Sequence, residues 1–201
     1  MRSIIGGAIV AVVTASGLVL ASPALAQKDK PADAVARLLK AREVVQTLSE
    51  RLKADLTVTL KTAGPASSIS VCQTVSPDLA TQISSDTGFE ITRTSQKPRN
   101  PDNAADEWEN KVLAMFQAQL GSGAETGKLE HHEIVTTPEG DKLFRYMRAI
   151  VISEPCLACH GTDVRLDVKA EIARLYPEDK ALGHKLGELR GAFSLVKLIE
   201  E

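Results

Sequence analysis

The chain has 201 residues, 24 basic and 26 acidic, giving a formal charge of −2 and a pI near 6.1. That length suits one domain, at most one domain with an appendage. The charge balance argues against a nucleic-acid binder, which needs a basic face, and no run of like charges marks an interaction tail.

Residues 1–26 read as a secretory signal peptide. Arg2 is a short positive start, Ile4 to Ala21 is uncharged and apolar, and Pro23-Ala24-Leu25-Ala26 offers small residues for cleavage after Ala26. The alternative is an uncleaved N-terminal membrane anchor, since the run is about long enough to span a bilayer. The expectation is an exported, periplasmic protein with no membrane attachment after cleavage. Loss of Arg2 would then take the charge from −2 to −3.

Residues 27–62 are assigned to an N-terminal helix and residues 63–201 to the main domain. From Pro31 to about Leu60, the apolar residues Val35, Leu38, Leu39, Val45, Leu48, Leu52 and Leu56 recur at helical spacing. Such a stripe faces a core; a homodimer contact is the other use for it. Ala63-Gly64-Pro65 should end the helix. The segment Ser67 to Ser84 carries Cys72, with Ser76 expected as cap and Pro77 as first residue of a second helical piece.

Phe89 to Ser95 alternates as a strand, and Lys97 to Asn103 holds two prolines and two asparagines that demand a loop. Asp106 to Leu120 is an amphipathic helix with Trp108, Val112, Met115 and Phe116 on one side. After the glycine-rich turn from Gly121 to Gly127, Glu130 to Thr137 and Lys142 to Ile152 form a hairpin across Pro138-Glu139-Gly140-Asp141. Val168 to Leu175 is a short helix and Arg190 to Ile199 a closing strand. Helices and strands in this order, without a repeated β-α-β period, give an α+β domain around an antiparallel sheet.

The strongest chemical signal is Cys156-Leu157-Ala158-Cys159-His160, the attachment pattern of c-type haem. Two thiols three residues apart on one helical turn can form thioethers with the two haem vinyl groups, and the adjacent histidine can reach the iron. A thioredoxin-like redox pair would need a β-α-β context that is missing, zinc would need further ligands, and a plain disulfide leaves His160 without a role. Cys72, Cys156 and Cys159 also make an odd number, which in an exported protein leaves one thiol without a partner.

By residue type, His131, His132, His184, Met115, Met147 and Cys72 are all candidates for a second iron ligand. His131 and His132 are neighbours on a strand and so point to opposite faces. Met115 and Met147 sit on apolar faces, where packing is the plainer role.

Arg93-Thr94-Ser95, Lys97-Pro98-Arg99-Asn100-Pro101, Asn103-Ala104 and Trp108-Glu109 resemble the first block of the PAS-like, single-haem c-type cytochrome family. Phe144-Arg145-Tyr146-Met147 with Cys156 to Gly161 resembles its second. Tyr176-Pro177, Asp179, Ala181, Gly183, Gly187 and Arg190-Gly191-Ala192-Phe193-Ser194 resemble its third. The family occurs as small exported proteins and as the sensing part of histidine kinases. The resemblance implies a PAS-like fold and haem iron held by the motif histidine, here His160, and by an upstream cysteine, for which Cys72 is the matching position.

Arg93, Lys97, Arg99, Arg145 and Tyr146 supply donors, and Arg93, Arg99 and Tyr146 are the candidates for contacts to the haem propionates. Arg99 and Asn100 serving only to organise their loop is the competing reading. The expected function is a redox or small-ligand sensor module acting with an unidentified redox or signalling protein. The alternative is a soluble, low-potential electron-transfer cytochrome. An enzyme is not expected, since no distal His-Arg arrangement can be picked out.

Overall fold

The computed structural model describes residues 30–199. The signal segment expected over residues 1–26 lies outside the described residues. Among the described residues, no helix is long and apolar enough to cross a membrane.

The first helix, α1, runs Pro31–Thr62, with proline in its first turn, Asp33 near its positive end and Lys61 near its negative end. Only Ala41, Val44, Val45 and Leu48 of this helix are buried, whereas Val35 and Leu39 are 57% and 56% exposed. The apolar stripe expected to face the core is therefore used only in its middle. The reason is length: 32 residues make a helix of about 48 Å, while four strands span only about 20 Å.

A short helix, α2 (Gly64–Ser67), leads into a widened π-helical turn, Val71–Val75, that continues straight into α3 (Ser76–Thr87). Ser76 was expected to cap a new helix. Instead it is buried and helical, and its N–H donates to the carbonyl of Val71, five residues back. Pro77 supplies the physical reason. A proline inside a helix lacks an N–H and crowds the carbonyl four residues earlier, here that of Gln73, and a wider turn relieves the clash. The left-handed Gly88, with φ 67°, then closes α3.

Strand β1 (Glu90–Thr94) is followed by the looped segment and by α4 (Glu107–Gly121). The start of α4 is fixed by a capping box: Asp106 accepts from the Glu109 N–H, and the Glu109 carboxylate accepts from the Asp106 N–H. Strands β2 (Glu130–Thr136) and β3 (Lys142–Val151) form the expected hairpin. Helices α5 (Leu157–His160) and α6 (Leu166–Leu175) precede the last strand, β4 (Leu189–Leu198). All neighbours in the four-stranded sheet are antiparallel, in the order β1-β4-β3-β2, so the final strand enters the middle of the sheet. This is the α+β architecture expected, an antiparallel sheet between helices with a long N-terminal helix.

The strand pleat sorts side chains onto two faces. Phe144, Tyr146, Phe193, Leu195 and Ile91 pack under α1 and α3, while Met147 and Ala192 pack under Val112, Leu113 and Phe116 of α4. A third cluster, Ile69, Val164, Val168, Ile172 and Tyr176, joins the segment after α2 to α6, with Cys159 packed against it. On the α1 face, Glu130 binds the Arg42 guanidinium through both carboxylate oxygens and accepts the Tyr146 hydroxyl proton at 2.8 Å.

Gly191 has φ 154°, and a Cβ there would stand 2.2 Å from the Thr94 carbonyl oxygen. Gly191→Ala should therefore cost about 2–4 kcal/mol in denaturant unfolding. Burial opposes the charge on Glu130, but the hydrogen bonds from Arg42 and Tyr146 win and hold its carboxyl below the ordinary 4.5. A depressed carboxylate contributes stability above its unfolded value and loses it as pH falls through its folded value. Glu130→Gln should be less stable than wild type by about 1–2 kcal/mol at neutral pH, with the gap closing as unfolding is followed below pH 4.5.

Candidate functional site

Where β3 ends, the Ile152 N–H donates to the Glu188 carbonyl and the Gly187 N–H returns to the Ile152 carbonyl, tying the start of the cysteine motif to the approach to β4. Cys156 closes a 3-10 turn and its sulfur lies 3.2 Å from the Ser153 hydroxyl. Leu157, Ala158, Cys159 and His160 then make the single turn α5, closed by the Gly161 N–H on the Leu157 carbonyl at 3.0 Å. Cys72, Cys156 and Cys159 are all free thiols and all half-buried.

His160 is held from several directions by one segment. Its carbonyl accepts from the His184 N–H at 2.9 Å, the neighbouring Gly161 carbonyl accepts from the Gly183 N–H at 3.0 Å, and its Nδ1 lies 2.9 Å from the Ala181 carbonyl oxygen. A carbonyl can only accept, so the ring proton sits on Nδ1 and the lone pair on Nε2. Burial, reinforced by the nearby charges of Arg99 and Arg190, pushes the ring pKa down to about 2. The imidazole is thus neutral, in one tautomer, with Nε2 prepared to bind a metal.

Cys72 approaches from a different element, the π-helical turn. It lies close enough to Cys159, Tyr176 and Arg190 for a charge on its sulfur to act on each. Burial is the main cause of the upward shift of the Cys159 thiol and of the Tyr176 hydroxyl.

The cations divide by partner. Arg99 is 6% exposed, with Nε 3.1 Å from Asp179 Oδ1 and Nη2 2.6 Å from the Cys159 carbonyl. Arg93 shares the face of β1 that carries Ile91, and together with Arg99 acts on Arg190. Burial first, then those two neighbours, lower the Arg190 guanidinium to about 10. Arg190 Nη1 binds the Ser95 hydroxyl at 3.0 Å and the Lys97 carbonyl at 3.1 Å, but its buried Nε has no partner. The buried Oδ2 of Asp179 and Nε2 of His184 are likewise without partners.

Other expected residues are placed elsewhere. Tyr146 is fully buried beneath α1 with its hydroxyl taken by Glu130, so the structure does not bring it to this cluster. Arg145 pairs with Asp106 at 2.7 Å and covers the Trp108 ring on the α4 face. His131 and His132 lie on β2, an edge strand, their rings near Trp108 and Phe144 respectively. Met147 is fully buried under α4 and Met115 packs beside it. His184 meets the His160 ring edge-on, with centroids 6.4 Å apart. Residue type alone gives Arg190, Asp179 and Ala181 no site role. The available signal was an arginine beside a glycine at the mouth of an otherwise apolar strand.

The donor set fits a covalently tethered haem. Two free thiols three residues apart on one turn suit its vinyl groups, a neutral Nε2 suits its iron, and an arginine cluster with an unpartnered buried nitrogen suits its carboxylates. Among the described residues, no group of three or more His, Cys, Asp or Glu side chains is gathered for a bare metal ion.

Comparison with known proteins bears on the family and the fold. The profile of the Tll0287-like family matches residues 24–197. The crystal structure of the cyanobacterial heme-protein Tll0287 superposes with a TM-score of 0.63 at 23% identity, over 83% of this chain and 98% of that one. No curated protein matches the chain.

Gly161 gives a direct test of how tightly the turn is closed. A Cβ there would stand 2.6 Å from the Leu157 carbonyl oxygen that closes α5. Gly161→Ala should lower stability by about 1–3 kcal/mol in thermal or denaturant unfolding. Wild-type stability would show that the turn is looser than it looks.

Proposed function

The chain belongs to the Tll0287-like family, and from that premise we propose that it is an exported c-type haem protein that senses redox state or a small ligand. In this reading Cys156 and Cys159 carry the thioethers and His160 Nε2 binds the iron. Cys72 would be the second iron ligand, and Arg190, backed by Arg93, would meet the propionates. Arg99 is left to its bonds with Asp179 and Cys159. The haem supplies one-electron chemistry and an iron position for diatomic ligands.

One observation carries the choice of sensor: the two sides of the site are held very differently. His160 is pinned through its ring, its carbonyl and the next carbonyl by residues 181–184. Cys72 sits half-buried in a π-helical turn imposed by a proline, the kind of local irregularity that concentrates at functional sites. A thiol must lose its proton to bind a metal and leaves when it regains it. The side chain that can let go is therefore on the less firmly held element. His184, edge-on to His160 and bonded to the same turn, stands beside that histidine and is a poor candidate for the second ligand. A separate signalling or redox protein would read the change.

Absorption spectra of wild type and Cys72→Ser, oxidised and reduced, with and without carbon monoxide or nitric oxide, test this. The reduced wild type should bind either gas with loss of the sulfur ligand. Cys72→Ser should keep its pigment but lose the wild-type oxidised low-spin spectrum. An iron inert in both oxidation states would make the protein an electron carrier. An unaltered Cys72→Ser spectrum would remove the thiolate.

A further inference from the structure

We propose that Arg99 and Asp179 form a buried clamp that positions His160, acting on it through the carbonyl of Cys159 and the backbone of Ala181. This rests on the haem reading above and assigns these two residues a role toward the iron ligand rather than toward the propionates.

The ring of His160 is oriented by one acceptor, the Ala181 carbonyl at 2.9 Å. Ala181 is fully buried, and its own N–H is taken by Asp179 Oδ1 at 2.9 Å. The same Oδ1 accepts Nε of Arg99 at 3.1 Å, and Nη2 of Arg99 reaches the carbonyl of Cys159, the residue before His160, at 2.6 Å. The Lys180 N–H donates to the Pro98 carbonyl at 3.0 Å, which joins the two loops beside this pair. Arg99 therefore holds both sides of His160, its own turn and the segment that supplies its acceptor. Both members of the pair are almost fully buried, with side chains 7% and 6% exposed, so neither can exchange its partner for water.

A buried ion pair can serve the fold alone, and two features point further. Arg99 spends its Nη2 on a main-chain oxygen within the cysteine motif, 60 residues away in sequence, rather than on a second carboxylate oxygen. Asp179 in turn leaves Oδ2 without a partner while Oδ1 serves both Arg99 and Ala181. The geometry favours fixing Ala181 over making the strongest ion pair, since a bidentate contact is the stronger arrangement. A ring N–H firmly bonded to a carbonyl makes the other nitrogen a more basic ligand, which favours oxidised iron. Loosening the clamp should raise the reduction potential.

The sign of the shift separates positioning from charge. Removing a buried cation by Arg99→Gln would by electrostatics alone lower the potential, and Arg99→Lys would leave the charge unchanged. The clamp predicts an upward shift in both, of about 59 mV for each tenfold loss of preference for oxidised iron. It also predicts an altered g-value spread in the electron paramagnetic resonance of the oxidised protein, with covalent pigment retained. Asp179→Asn should also shift upward, but the loss of its negative charge acts in the same direction, so for this variant the altered g-values carry the test and the sign of the potential does not. Pigmented Arg99→Lys and Asp179→Asn with wild-type potential and g-values would overturn the clamp and leave the haem reading intact. A downward shift in Arg99→Gln without change in Arg99→Lys would reduce Arg99 to a charge. Loss of folded secondary structure in all three variants would make the pair a determinant of the fold and also overturn the proposal. A colourless wild type would instead sink the haem reading beneath it.

Discussion

The hydrogen bond from Nδ1 of His160 to the carbonyl of Ala181 joins the cysteine motif to a loop 21 residues later, and the chemistry of the site depends on it. It selects one tautomer, sets the angle of the ring and leaves a single lone pair on Nε2. The imidazole is buried beside two guanidinium groups, so it cannot answer its surroundings by taking up a proton. Its Nε2 lone pair is left available for coordination. Much of the nearby architecture, from the closing of α5 to the pinning of residues 183 and 184 against the motif, keeps that bond in place.

The sheet makes this arrangement possible by bringing distant segments to one end. Because β4 enters between β1 and β3, the end of β1, the end of β3 and the start of β4 lie together. Arg93 and Ser95, the cysteine motif and Arg190 come from those three places. The opposite wall arrives from the helical layer through α2 and the π-helical turn, which carries Cys72. One wall is thus sheet-anchored and densely hydrogen-bonded, and the other is a widened helical turn. That contrast, rather than either ligand alone, is what suggests a switch.

Features confined to a few residues were legible in the sequence. The cysteine motif is read within five positions, whereas the capping box that starts α4 at Asp106 and Glu109 came only with the structure. The hairpin across Pro138 to Asp141 was equally clear, as were the opposite-facing His131 and His132. Features set by long-range contact were not. The stripe on α1 gave no sign that Val35 and Leu39 would overhang a sheet shorter than the helix. Pro77 looked like a helix start because the relief offered by a widened turn cannot be seen in residue types. Tyr146 was attractive as a donor, but whether its hydroxyl meets Glu130 or a prosthetic group depends on the strand pleat. Arg190 and Asp179 acquire their roles from partners 80 to 95 residues distant. The resemblance blocks contained both residues without saying what either one touches.

The claim on which the account stands is that a porphyrin is joined to Cys156 and Cys159 by two carbon–sulfur bonds. Intact mass spectrometry of protein produced with c-type maturation machinery, before and after extraction in acidified acetone, tests it most directly. The account predicts a chain heavier by one haem, unchanged by the extraction, with the added mass on the peptide that holds both cysteines. A chain at its bare mass, or one whose pigment passes into the acetone, would contradict it.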